Sequence, residues 1–108
     1  MIAYDFGDVI LIGFPHSDLR NVSKRPALVI YDAGDHDILV ARITTQEYIT
    51  GADYKIVEWR RSGLVTESFI RLGKQATIEK KYIIKKLGTL VESEEINIKS
   101  VLREIFNL

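Results

Sequence analysis

The triplet Lys24-Arg25-Pro26 stands directly before an apolar run, residues 27–31. Proline has no backbone N–H and holds the residue before it extended. Arg25 therefore starts from a stiff base at the mouth of a strand. A second apolar run, residues 38–44, ends in Thr44 and is followed by Thr45 and Gln46. Arg71 lies between Ile70 and Leu72, where a cation needs either water or a partner. A guanidinium fork matches two oxygens of a phosphate, and neighbouring hydroxyls add donors. His16 has an unperturbed pKa of about 6.5, suited to proton transfer near neutrality, and Asp18 is the weaker choice. Neither a glycine-rich phosphate loop nor a metal-binding motif accompanies them. Together these residue types point to metal-free work on a phosphodiester.

Each residue alone has a plainer reading. Lys24 and Arg25 could guard a strand edge against aggregation. Thr44, Thr45 and Gln46 could form a turn that hydrogen-bonds its own backbone. His16 follows Pro15, where a lone histidine is usually just exposed. Arg60-Arg61 and the set Lys80, Lys81, Lys85 and Lys86 read as solvated faces. The set persuades more than its members do. Arg25 enters one strand and Thr44 leaves the next, so a hairpin brings them to the same side of the sheet.

The elements that must position them are mostly strands. Residues 8–14, 27–31, 38–44, 54–59 and 68–72 read as strands, with the turn cluster DAGDHD between the second and third. Residues 77–90 are ambiguous, with a helical turn around 80–84 and a last strand after Gly88. The C-terminal segment reads as a helix capped by Ser93, with Glu94 and Glu95 in its first turn. Ile96 at the third helical position denies it a full capping box. Ile98, Val101, Leu102, Ile105 and Leu108 form one stripe, with Phe106 at its margin, for core packing or else for a partner. Five or six short strands and one helix suggest a small antiparallel barrel or sandwich closed by that helix.

The chain of 108 residues is long enough for one domain, residues 1–108, with its own core. At 46% hydrophobic and 28% charged residues, it has the make-up of an ordinary soluble protein. Having no cysteine, it excludes disulfides, thiolate zinc sites and cysteine nucleophiles. Its net charge of zero argues against a generic basic nucleic-acid binder. The charge is unevenly spread, however. Residues 1–54 carry four basic against eight acidic groups, and residues 55–108 carry eleven against seven, which permits a basic face. The opening MIAYDFGD does not read as a signal peptide, and no apolar run approaches the roughly 20 residues needed to cross a bilayer. A cytoplasmic location without membrane contact is expected.

The order GDVILIGFP…KRPALVIYD…DILVARITTQ…SFIRL…KQATIEKKYIIKKLGTL resembles the MazF/PemK family of toxin endoribonucleases from type II toxin–antitoxin pairs. The resemblance runs from Gly7 to the terminal helix. It implies a Src-homology-3-like β-barrel with a C-terminal helix, most often a homodimer with an RNA groove across both subunits. It also implies metal-independent, sequence-specific cleavage of single-stranded RNA without a cofactor, and a cognate antitoxin as partner. The ribose 2′-hydroxyl would attack the adjacent phosphorus, leaving a 2′,3′-cyclic phosphate and a 5′-hydroxyl. By the same resemblance Arg25 is the active-site arginine, Thr44 positions the phosphate and Arg71 is a second functional arginine. The general base stays unassigned, with His16 the first candidate and Asp18 the weaker one, and Lys24, Asp18, Thr45, Gln46 and Lys74 are the expected RNA contacts.

Two departures stand out. In the PemK branch an aspartate follows the second arginine by two residues, and here that place is Gly73. His16 also lies three residues further from Arg25 than the branch pattern expects. Two alternatives follow: a catalytically inactive module that binds RNA or antitoxin, and a non-enzymatic toxin with a protein target such as gyrase. Relatives of the second kind act through a tryptophan near the C-terminus, whereas the only tryptophan here is Trp59.

Overall fold

The computed structural model describes residues 2–15 and 22–108. Six strands, β1 (Asp8–Pro15), β2 (Val22–Tyr31), β3 (Asp37–Thr44), β4 (Asp53–Lys55), β5 (Phe69–Glu79) and β6 (Ile83–Thr89), precede one helix, α1 (Glu92–Phe106). All pairings are antiparallel, and the strands lie in the order β4-β5-β3-β2-β1-β6. This is the antiparallel, helix-terminated fold expected from the sequence. The sheet is not closed into a ring, since β4 and β6 are its two edges.

Successive residues of a strand face opposite sides, and here both sides are covered. Val9, Leu28, Ala41, Ile43, Ile70 and Leu72 point to one face and pack with Ile56, Leu90 and Ile98 of α1. Ile10, Ile12, Ala27, Val29, Ile38 and Val40 point to the other, under Tyr4, Ile78, Tyr82 and Ile83. That is why these strands read as nearly unbroken apolar runs instead of alternating. Each fully buried Val, Leu or Ile contributes about 1.5–3 kcal/mol.

Several element boundaries differ from the sequence reading. The strand expected over residues 54–59 stops at Lys55. The reason is a carboxylate: Glu94, 3% exposed, accepts the N–H of Val57 (2.6 Å), the N–H of Glu58 (3.2 Å) and the Tyr54 hydroxyl (3.1 Å). Those amides are thus taken by a helix side chain before a strand can use them. Gly73 does not end its strand. Ala41 pairs with Gln75 but Arg42 with Arg71, so residues 72–74 bulge and β5 runs on to Glu79. The turn expected around 80–84 is a single 3-10 turn, Lys80–Tyr82, and the last strand begins at Ile83, not after Gly88.

Ser93 is not the helix cap. Val91 holds that position in extended geometry, and no side chain caps the end. Leu90 N–H donates to the Gly7 carbonyl (2.9 Å), so a tertiary contact fixes the chain at the helix entrance. Gly7 sits at φ 93°, in left-handed space that a side chain rarely adopts. The apolar stripe of α1 is half used. Ile98 is fully buried and Val101 and Leu102 partly so, while Ile105, Phe106 and Leu108 are exposed, Leu108 to 91%.

The lysine set also divides. Lys80 pairs with Asp32 at 2.8 Å, with side chains only 9% and 1% exposed. Lys86 reaches the buried Asp8 at 3.1 Å, and Lys81 pairs with Glu79 on the surface. Only Lys85 remains simply solvated among them.

Candidate phosphate site at the fork of two strands

The ladder between β2 and β3 carries its last pair at Ala27–Arg42. Beyond it β2 stays with β1, while β3 stays with β5. The opening coincides with Pro26, which has no N–H to give. A cavity of about 120 Å³ fills the fork, lined by Lys24, Arg25, Pro26, Arg42, Thr44 and Thr45 among others. The hairpin expectation for Arg25 and Thr44 therefore holds, and the two residues stand on opposite prongs.

Parity decides which side chains share a face. Arg25 is two residues from Ala27, and Arg42 and Thr44 continue the Val40 row, so all three start from the same side of the sheet. Arg71 is the register partner of Arg42 and joins them on that side. Arg25 and Arg42 have no carboxylate partner among the described residues. Thr44 behaves partly as the plainer reading said, since its hydroxyl oxygen accepts the Gln46 N–H at 3.2 Å. That bond uses a lone pair and leaves the O–H free to donate.

Arg42 is a cation that the sequence reading passed over. It was legible as a member of the run ILVARIT. Standing two residues before Thr44, it must share the face of Thr44. It also lines a second, largely apolar cavity of about 230 Å³ on the far side of Arg25, floored by Ile12, Ala27, Val40 and Ile78, with Lys74 on its rim. Arg25 and Arg42 thus separate a polar fork from an apolar groove.

Arg71 lines neither cavity. Its Nε–H donates to Asp53 Oδ1 at 3.1 Å, and its guanidinium lies 3.7 Å from the centre of the Tyr48 ring. The Asp53 side chain is only 3% exposed. Burial pushes its carboxyl up, but hydrogen bonds from the Thr50 hydroxyl and N–H, with Arg71 beside it, outweigh this and hold it below the usual range. Thr45 and Gln46 are exposed at the start of the loop that carries Tyr48 and Thr50. His16 and Asp18 lie outside the described residues. No carboxylate or imidazole lines either cavity among the described residues, and no three metal-ligating side chains come together there. Among the described residues no helix is long and apolar enough to cross a membrane.

Residues 5–106 match the PemK-like, MazF-like toxins of type II toxin–antitoxin systems. No curated protein matches the chain. Among solved structures, an endoribonuclease from a mycobacterial species in complex with its cognate antitoxin is similar at a TM-score of 0.76 and 18% identity, covering 98% of this chain and 97% of its own. A second mycobacterial endoribonuclease aligns at a TM-score of 0.76 and 19% identity over 100% of this chain and 95% of its own. The Mycobacterium tuberculosis toxin MazF-mt6 aligns at 0.72 and 18% identity over 92% and 97%.

Proposed function

The chain belongs to the PemK-like, MazF-like toxins of type II toxin–antitoxin systems, and we propose that it is an endoribonuclease cutting single-stranded RNA at short sequences without a metal. The observation that carries this reading is the fork between β2 and β3. There two arginines and a hydroxyl with a free proton surround a cavity of about 120 Å³. A guanidinium fork and a hydroxyl donor suit a phosphodiester held at that point.

In the proposed reaction the ribose 2′-oxygen attacks the neighbouring phosphorus and loses its proton to a base. The P–O5′ bond breaks and O5′ takes a proton from water, giving a 2′,3′-cyclic phosphate and a 5′-hydroxyl. Arg25 and Thr44 meet the charge that builds on the non-bridging oxygens, a task for donors placed in advance. Arginine keeps its proton at any working pH, so Arg25 acts by charge and not as the base. The described lining of the fork offers no base; His16, on the segment joining β1 to β2, is the first candidate for that role and Asp18 the weaker one. Lys24 and Thr45 at the fork, Gln46 just beyond Thr45 in the loop after β3, Asp18 on the β1–β2 segment and Lys74 on the groove are the proposed RNA contacts.

The reading includes a cytoplasmic homodimer and an antitoxin that competes with RNA. An acidic or apolar antitoxin segment would suit the groove, whose floor is apolar and whose rim holds Arg25, Arg42 and Lys74. The exposed apolar end of α1 favours a further protein contact.

The test is incubation of the purified protein with long single-stranded RNA in excess EDTA, followed by analysis of the fragment ends. Fragments ending in cyclic phosphate are expected, with DNA of the same sequence left intact because it lacks the 2′-hydroxyl. Intact RNA across varied sequences, from folded protein, would overturn the reading.

A further inference from the structure

Four residues form one row across four strands: Ala27 of β2, Arg42 of β3, Arg71 of β5 and Asp53 of β4. Two adjacent cations in such a row repel each other, and Asp53 terminates it. Asp53 does more than neutralise. Its Oδ1 takes the Nε–H of Arg71, while its Oδ2 takes the Thr50 hydroxyl at 2.7 Å and the Thr50 N–H at 3.0 Å. Tyr48, from the same loop, lies against the flat face of the guanidinium. Arg71 is therefore held on its Nε edge and on one face. Its terminal fork, the two Nη groups, has no acceptor among the described residues, and the side chain stays 16% exposed.

A guanidinium fixed in this way is a two-pronged receptor whose orientation is settled before any ligand arrives. Long arginine side chains lose about 2 kcal/mol of rotamer freedom when they are immobilised. Here the protein has already met that cost. A single guanidinium loosely tethered on a sheet would have to meet it on binding.

We propose that Asp53, braced by Thr50 and with Tyr48 behind the guanidinium, is a positioning residue that presents the terminal fork of Arg71 to a phosphate next to the one in the β2–β3 fork. This rests on the reading of the protein as RNA-binding, and it gives the loop between β3 and β4 a defined task. Arg71 lies outside the β2–β3 cavity and beside Arg42, so one strand's width separates the two phosphate receptors. Successive phosphates of a single strand suit that arrangement.

The sign of one substitution separates positioning from mere neutralisation. Asp53→Asn removes a negative charge beside an anion site, and on charge alone it should tighten RNA. A positioning role predicts the reverse. The probe is a single-stranded 2′-O-methyl oligoribonucleotide, which can bind but cannot be cut, titrated into wild type, Asp53→Asn, Arg71→Ala and the double variant. Asp53→Asn is expected to weaken binding about ten-fold, and to have no further effect once Arg71 is alanine. Thermal unfolding confirms that each variant is folded. If Asp53→Asn does not fold, Thr50→Val should give a smaller loss of the same sign, again absent in the Arg71→Ala background. Tighter or unchanged binding, or a loss that persists without Arg71, overturns the assignment. RNA bound but never cut by wild type would defeat the ribonuclease reading alone, whereas no binding by wild type would defeat both.

Discussion

Arg42 and Arg71 are direct register partners across β3 and β5, two guanidinium groups starting from adjacent positions on one sheet face. Opposed like charges destabilise a sheet; Arg71 is answered by Asp53 and Tyr48, whereas Arg42 is exposed and has no carboxylate partner among the described residues.

Arg42→Gln is accordingly expected to help stability and harm binding. Relief of the cross-strand repulsion should raise unfolding free energy by about 0.2–1 kcal/mol. RNA affinity should fall, and the slope of log K against log salt should shrink by roughly 0.7, the value for one phosphate contact on a single strand. Urea unfolding and salt-dependent titration of the 2′-O-methyl probe measure both. An unchanged salt slope would return Arg42 to a solvated surface.

Glu94 carries the docking of α1, and its loss should be costly. Glu94→Ala strands the N–H groups of Val57 and Glu58, for an expected loss of about 2–4 kcal/mol. Glu94→Gln keeps an acceptor and should lose less, about 1 kcal/mol. Chemical denaturation of the three proteins checks the order. Equal losses for the two variants would mean that the carboxylate's charge, not its acceptor geometry, holds the helix.

The pair Lys80–Asp32 sets a dependence on acid. Burial raises the Asp32 carboxyl, but Lys80 and the N–H groups of Tyr4 and Gly34 outweigh this and lower it below the usual value. A folded pKa below the unfolded one gives stability that is complete above the ordinary carboxylate value, about 3.9, and lost as pH falls through the folded value. The stability difference between wild type and Asp32→Asn should therefore be flat from neutral pH down to about 5 and shrink below about 4. Urea unfolding at stepped pH reads this. A difference that shrinks already between neutral pH and 5 would contradict the assignment.

The sequence made some of this architecture visible and hid the rest for identifiable reasons. Strands β1, β2 and β3 were readable because both sheet faces are buried, which writes them as apolar runs; β2 nevertheless begins at Val22 and not at residue 27, because β1 keeps pairing with it through Pro26, which breaks only the ladder to β3. Arg25 and Thr44 were readable because a hairpin joins them. Arg42 was available to the same logic, needing only the two-residue period counted back from Thr44. Asp53 was not, since its meeting with Arg71 depends on how β4 pairs with β5. Position 73 is glycine, and the acid that meets Arg71 is Asp53 of the neighbouring strand. The early end of β4 was equally hidden, because the carboxylate that takes the following amides comes from α1, 37 residues away.

The most direct test of the account is single-turnover cleavage of one RNA by wild type and Arg25→Ala in excess EDTA. Arg25 is exposed and its removal leaves both cores untouched, so the variant should fold as wild type does. The account predicts that its cleavage rate falls about 10²–10³-fold, with the wild-type fragments ending in cyclic phosphate. Cleavage by Arg25→Ala at the wild-type rate would contradict it, since the fork between β2 and β3 would then not be where the phosphodiester is broken.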